Sequence, residues 1–144
     1  MNTIRDVLKA KSNEVVTTSP DATVFDALSL MRDREIGALI VMEEGKVVGI
    51  FSERDYARKV ILHGKSSRET PVREVMSTDL YHVSPDTTVQ ECMVLMTGKH
   101  IRHLPVFENG QFVGIVSIGD VVKSIISHQE FLIEQLSNYI AGRY

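Results

Sequence analysis

The sequence predicts an α+β protein built from two pseudo-symmetric β-α-β-β-α repeats packed together. The first observation behind this is internal identity. Residues 17–60 align with residues 82–125 at a fixed offset of about 65, without a gap, and about seventeen of about forty-four positions are identical. The second is the order of patterns within each copy: a helical apolar period, then two strand-like apolar runs joined by a short polar turn. The third is a phrase that closes both copies. Gly49-Ile50-Phe51-Ser52-Glu53-Arg54-Asp55 and Gly114-Ile115-Val116-Ser117-Ile118-Gly119-Asp120 share the form Gly, two apolar residues, Ser, two variable residues, Asp. A unit this short buries little surface alone, so the two copies are expected to form one folding body.

In chain order, Ile4-Arg5-Asp6-Val7-Leu8 reads as a short amphipathic helical turn, echoed by Val72-Arg73-Glu74-Val75-Met76 at a slightly larger offset. The loop that follows it is therefore a little longer in the first copy. Val15-Val16-Thr17-Thr18 reads as a short strand, with Leu80-Tyr81-His82-Val83 as its counterpart. Thr23-Val24-Phe25-Asp26 and Thr88-Val89-Gln90-Glu91 have capping-box form and start the first full helices. Val24, Ala27, Leu28 and Met31 share one helical face, as do Val89, Cys92, Met93 and Met96, and both stripes read as core. Two hairpins follow. Their turns fall at Glu43-Glu44-Gly45 and Glu108-Asn109-Gly110, where Asn-Gly is a strong turn signal because both residues tolerate positive φ. Pro105 lacks an N–H and favours a strand edge or start.

A second helix is predicted from about Glu53 to Leu62, stopping at His63-Gly64, and a last one from about Ile118 toward Ile140. The boundaries that follow are 1–62 for the first repeat with its leading segment, 63–71 for a polar linker, 72–126 for the second repeat and 127–144 for a helical extension. Ile125, Ile126, Leu132, Ile133, Leu136, Tyr139 and Ile140 give the last helix an apolar stripe that no part of the repeat remains to cover. A partner subunit is the simplest cover; folding back on its own domain is the alternative.

Composition narrows the class. At 43% hydrophobic and 24% charged residues the chain has an ordinary globular balance, and a net charge of -3 gives no general pull toward nucleic acid. The single Cys92 excludes an internal disulfide and suits a reducing compartment. No apolar run reaches membrane-spanning length and no basic-then-apolar leader is seen, so the cytoplasm is the expected location.

The closing phrase is where chemistry concentrates. A Ser at a helix start with an Asp three residues on gathers a hydroxyl, a carboxylate and free backbone N–H groups, which suits a sugar hydroxyl and a nearby phosphate. The same spacing is also a plain capping box that needs no ligand. Arg54, Arg58 and Lys59 read either as phosphate-binding cations or as a solvated face. His100 and His103 flank Arg102 without a Cys or carboxylate at ligand spacing, which argues against a metal. His63, His82 and His128 are isolated. Gly-x-Ser-x-Gly, Walker and Gly-x-Gly-x-x-Gly motifs are all missing, so the chain reads as a non-enzyme.

The repeated strand-helix-strand-strand-helix order, with Ser-Pro-Asp-x-Thr-Val before the first full helix and Gly-h-h-Ser-x-x-Asp at the last, resembles a tandem pair of CBS domains (the cystathionine β-synthase type, or Bateman, module). His100-Ile101-Arg102-His103-Leu104-Pro105-Val106 strengthens the resemblance, which covers nearly the whole chain, as in a stand-alone CBS-pair protein. It implies an adenosyl nucleotide ligand (AMP, ADP, ATP or NAD, sometimes S-adenosylmethionine), no catalytic cofactor and no metal, and assembly as a homodimer. It also implies two sites. One would join Ser52, Arg54 and Asp55 with Tyr81, Ile101, Arg102 and His103. The other would join Ser117 and Asp120 with Val16, Thr17, Ile36, Gly37 and Ala38. In each, Asp would hold the ribose hydroxyls, and the Asp55 site is expected to favour more phosphate charge.

The expectation is therefore a regulatory module that senses an adenine nucleotide and signals through a homodimer to a downstream protein not identified by the sequence. The alternative is a non-catalytic interaction or structural dimer with empty clefts. A nucleic-acid binder is disfavoured by the charge and the lack of an aromatic-studded basic patch.

Overall fold

The structure, a computed structural model, describes residues 2–11 and 15–142. In chain order it contains α1 (Ile4–Ala10), β1 (Thr17–Thr18), α2 (Val24–Arg34), β2 (Ala38–Glu43), β3 (Lys46–Ser52) and α3 (Glu53–Asp55), which continues as a π-helical stretch, Tyr56–Ile61. A 3₁₀ turn, Val72–Glu74, is followed by α4 (Val89–Lys99), β4 (His103–Glu108), β5 (Gln111–Ser117) and α5 (Ile118–Ile140). The mixed helix and strand architecture is the one expected. The longer loop expected after Leu8 falls mainly on residues 12–14, which lie outside the described residues.

These residues form two compact units, residues 15–81 and residues 2–11 with 82–142. The units interleave along the chain. α1 precedes the first repeat yet belongs to the unit of the second; the 3₁₀ turn precedes the second repeat yet belongs to the unit of the first. Both leading segments dock in the same way on Ser-Pro-Asp. The Val72 and Arg73 N–H groups donate to the Ala22 and Pro20 carbonyls at 2.8 Å, and the Ile4 and Arg5 N–H groups donate to Thr87 and Pro85 at 2.9 Å. The Arg73 guanidinium then reaches Glu43 at 2.8 Å and Asp21 at 3.2 Å, while Arg5 reaches Glu108 at 2.7 Å and Asp86 at 3.3 Å.

In the first unit β1 pairs parallel with β2, and β2 antiparallel with β3. The core is Val24, Ala27, Met31, Leu39, Val41, Phe51, Val60, Val72 and Val75. The other unit has only the β4–β5 hairpin, over Ile4, Val7, Val83, Val89, Cys92, Met96, Leu104, Val106, Val116 and Val121. The strand expected at Leu80–Val83 is reduced to one parallel bridge, Val83 to Val106. Pro105 explains the loss. It stands where Ile40 stands in the first repeat, inside β4 rather than at its start, and its carbonyl accepts the Val83 N–H at 3.1 Å. It has no N–H on that edge to add the next rung.

Both hairpins turn on two residues at positive φ, Glu44-Gly45 and Asn109-Gly110, as the turn chemistry requires. Thr88 and Glu91 form a full capping box, whereas Thr23 accepts from the Asp26 N–H and the reciprocal bond is missing. Ile125, expected in the uncovered stripe of α5, packs against the core one turn after Val121, whereas Val122 and the large apolar residues from Ile126 onward are exposed.

Candidate functional site

Each closing phrase places its Asp by the same local logic. The hairpin delivers Ser52 or Ser117 in extended backbone, and the helix begins at the next residue. The Asp three positions on then turns back and completes a capping box. The Asp55 N–H donates to Ser52 Oγ at 3.2 Å, and Asp55 Oδ2 accepts from the Ser52 N–H at 3.0 Å. In the second copy the Asp120 N–H donates to Ser117 Oγ at 3.1 Å, and Asp120 Oδ2 accepts from the Ser117 N–H at 2.8 Å.

The residues just before each second strand lie beside the phrase of their own repeat. Ala38 pairs with Ser52 across the hairpin, and Gly37 accepts from the Glu53 N–H at 3.1 Å. His103 pairs with Ser117, and Arg102 accepts from the Ile118 N–H at 2.8 Å. Ile36 and Ile101 pack against the two cores, and so does Val16. Thr17 is the exposed half of β1; Arg54, Tyr81 and Arg102 have exposed side chains. Ile36 and Gly37 also line a surface hollow of about 360 Å³ with Leu28, Met31, Arg32, Glu35 and Glu53.

Each carboxylate meets a lysine that also donates to a backbone carbonyl, but the two differ in burial and in their other partners. Asp55 is 6% exposed and both of its oxygens are engaged. Oδ2 also accepts from Ser52 Oγ at 3.1 Å; Oδ1 accepts from Ser77 Oγ at 2.9 Å and faces Lys59 Nζ at 3.1 Å. Lys59 in turn donates to the Val75 carbonyl at 3.2 Å, so it is a partner of the motif rather than part of a solvated face. Asp120 is half-buried and meets a different cation. Lys11 Nζ donates to its Oδ2 at 2.6 Å and to the Ile115 carbonyl at 2.8 Å. Burial works against the Asp120 charge, but the Lys11 hydrogen bond, the Ser117 N–H and the Lys11 charge together hold its carboxyl below the ordinary range. Burial holds the neighbouring His103 low and neutral; Asp120 opposes this, while Lys11 and Arg102 add to it. Among the described residues no three His, Cys, Asp or Glu side chains gather as a metal site would need.

Lys11 and Ser77 were not legible as site residues. Both come from leading segments, and the alignment of Leu8 with Met76 is the only hint that those segments end beside the phrases. The structure puts Leu8 against Gly114 and Met76 against Gly49.

Comparison with known proteins agrees with this architecture. The family model described as CBS domain matches residues 4–62 and 72–127. The chain belongs to the CBS-domain family. It is 39% identical over 151 aligned residues to the CBS domain-containing protein CBSX3, mitochondrial, of Arabidopsis thaliana, spanning 99% of this chain and 73% of that protein. It is 34% identical over 142 residues to the CBS domain-containing protein YhcV of Bacillus subtilis (strain 168), spanning 99% and 91%. A solved CBS-domain protein from Burkholderia ambifaria MC40-6 superposes with a TM-score of 0.86 at 44% identity, covering 89% of this chain and 96% of that one. A CBS pair is in general a regulatory module that binds adenosyl ligands, not a catalyst. No helix among the described residues is long and apolar enough to cross a membrane.

Proposed function

We propose that this chain is a regulatory module that binds an adenine nucleotide at a Ser-x-x-Asp phrase and reports occupancy through a homodimer. The observation that carries this reading is the Asp120 carboxylate. It is held ionised, half-buried at a helix start, with Lys11 and the Ser117 N–H on one oxygen and the Ser117 hydroxyl beside the carboxylate. An ionised carboxylate accepts hydrogen bonds from both hydroxyls of a ribose, and the adjacent Lys11 and Arg102 supply positive charge for phosphate. The exposed apolar length of α5 supports a second copy as the element through which occupancy is read. A ligand shifts such an equilibrium only by its differential affinity for the two states. The single, buried Cys92 suits a reducing compartment such as the cytoplasm.

The test is isothermal titration of nucleotide-stripped protein with AMP, ATP and NAD, on the wild type and on Asp120→Ala. Binding that the substitution abolishes supports the sensor reading and names the ligand class. The second reading, an interaction dimer that binds no nucleotide, is favoured by one observation: both Ser-x-x-Asp phrases are complete capping boxes by themselves. Silence from all three nucleotides with folded protein would leave that reading standing alone.

A further inference from the structure

We propose that Lys11 is the phosphate-recognising latch of the Asp120 site, and that the Asp55 phrase is a structural cap that takes no ribose. The inference rests on the adenine-nucleotide reading above and adds which phrase binds and which cation selects the ligand.

Both Asp residues sit in the same capping box, at the same place in the repeat. Asp55 accepts from the Ser52 N–H, the Ser52 hydroxyl, the Ser77 hydroxyl and Lys59, with donors on both oxygens, at 6% exposure. A ribose diol could enter only by evicting Ser77 or Lys59 from a carboxylate whose side chain is 8% exposed and has donors on both oxygens, so each bond it gained would replace one already made. Among the described residues the hydrogen bonds of Asp120 fall on Oδ2, with the Ser117 hydroxyl beside the carboxylate, and Oδ1 is the oxygen that would take a hydroxyl.

Lys11 is built to exchange. It is the C-cap of α1, where the chain leaves the helix in extended conformation, so its four-carbon stem is not fixed by helical packing. Its side chain is 31% exposed and that of Asp120 24%, which makes the ion pair a modest, screenable interaction. Lys11 spends two of its three donors, on Asp120 and on the Ile115 carbonyl. A nucleotide offers two hydroxyls for Asp120 and a phosphate for the ammonium. The exchange therefore leaves neither charge unpaired. A nucleoside offers the hydroxyls alone, so displacement of Lys11 would leave its charge with no anion. The latch thus converts the presence of a 5′-phosphate into affinity.

The experiment titrates AMP and adenosine into stripped wild type, Lys11→Met, Lys11→Arg and Ser77→Ala, with a thermal melt of each variant to confirm folding. The wild type is expected to prefer AMP to adenosine by roughly tenfold or more, as a charge-assisted phosphate contact implies. Lys11→Met is expected to weaken AMP and to strengthen adenosine, which then displaces no cation, so that the preference collapses, while Lys11→Arg keeps it. Stoichiometry is expected at one ligand per chain in the wild type and in Ser77→Ala. Retention of the AMP preference in folded Lys11→Met, or two equivalent sites per chain, would overturn the proposal while leaving the nucleotide reading intact. A wild type that binds neither compound would overturn both.

Discussion

Gly49 lies so close to Ser77 that a Cβ on the glycine would stand 2.9 Å from the Ser77 carbonyl oxygen. The same Cβ would stand 2.8 Å from Met76 Sδ. The thioether can move aside; the carbonyl cannot, because it accepts the Ile50 N–H at 2.9 Å while the Ser77 N–H donates back to Ile50 at 2.8 Å. The glycine that opens the closing phrase is thus required by backbone approach and not by a special φ. Its counterpart Gly114 meets only Leu8, whose Cδ2 would lie 3.0 Å away and belongs to a flexible side chain. Gly49→Ala is expected to cost about 1–3 kcal/mol and Gly114→Ala under about 1 kcal/mol, measured by urea unfolding. Equal losses at the two positions would contradict the difference in what each glycine faces.

The two motif carboxylates should separate in the same kind of measurement. Removing Asp55 leaves the half-buried Ser52 N–H and Ser77 hydroxyl without their acceptor, so Asp55→Ala is expected to cost about 2–3 kcal/mol. Asp120→Ala removes a cap and an exchangeable ion pair, and about 1 kcal/mol is expected. Ser77→Ala should itself destabilise, since it strips one donor from Asp55, whereas Ser127→Ala on the solvent side of α5 serves as a neutral control. A larger loss at Asp120 than at Asp55 would reverse the assignment of cap and site.

Much of this arrangement could be read from the chain. The offset of about 65 placed Ser52 and Ser117, and Asp55 and Asp120, at equivalent spots because a repeat carries its local geometry with it. The hairpins followed from Glu44-Gly45 and Asn109-Gly110, and α5 from its apolar period and the Ser117 cap. What escaped was set by tertiary placement. Lys11 reaches Asp120 across 109 positions, and nothing local to either residue marks the pair. Pro105 was visible, but its consequence depended on which edge of β4 its missing N–H would face. The exchange of leading segments was equally hidden, because Ile4-Arg5 and Val72-Arg73 are near copies and either could serve either core.

Acidification should weaken the fold in two stages. The folded His103 has its pKa lowered from 6.5, mainly by burial, with Lys11 and Arg102 adding to the effect. The unfolded chain then binds more protons, so stability is full above about pH 6.5 and is lost as pH falls toward the lower folded value. Asp120 is also held below its ordinary 3.8, here by Lys11 and Ser117 against the opposing effect of burial. Its contribution is full above that ordinary value and is lost as pH falls through the folded one. His103→Gln is expected to remove the first stage and keep the second; Lys11→Met should shrink the second. Chemical denaturation between pH 7.5 and 3 measures both. A stability profile in which His103→Gln changes nothing below pH 6.5 would refute the first assignment.

Cys92 should be silent in the native state. It is fully buried on α4, and burial pushes its thiol up to about 11, far from the thiolate that reacts at neutral pH. A chromogenic disulfide reagent is expected to label no thiol in buffer and one thiol in urea, at a rate that follows unfolding. Rapid native labelling would mean that the α4 face of this core opens independently.

Along α5, Val122, Ile126, Gln129, Ile133, Leu136 and Ile140 follow one another at steps of four and three, the spacing of a seam that meets another helix. The apolar members run from 40% exposed at Val122 to 84% at Ile140, while Val121, one position away from the seam, is fully buried in the core. One face of the helix therefore anchors it to its unit and the next face is left for something else. A helix of the same sequence fits such a seam, with Gln129 as the polar position that fixes register. Ile133→Glu combined with Leu136→Glu places like charges on the seam without touching the core. The doubly substituted protein is expected to keep its circular dichroism and sediment as a monomer, while the wild type sediments as a dimer at the same concentration. Two outcomes would refute the pairing: a wild type that is monomeric at roughly 100 μM, where even weak specific dimers with Kd in the micromolar range are populated, or a substituted protein that stays dimeric.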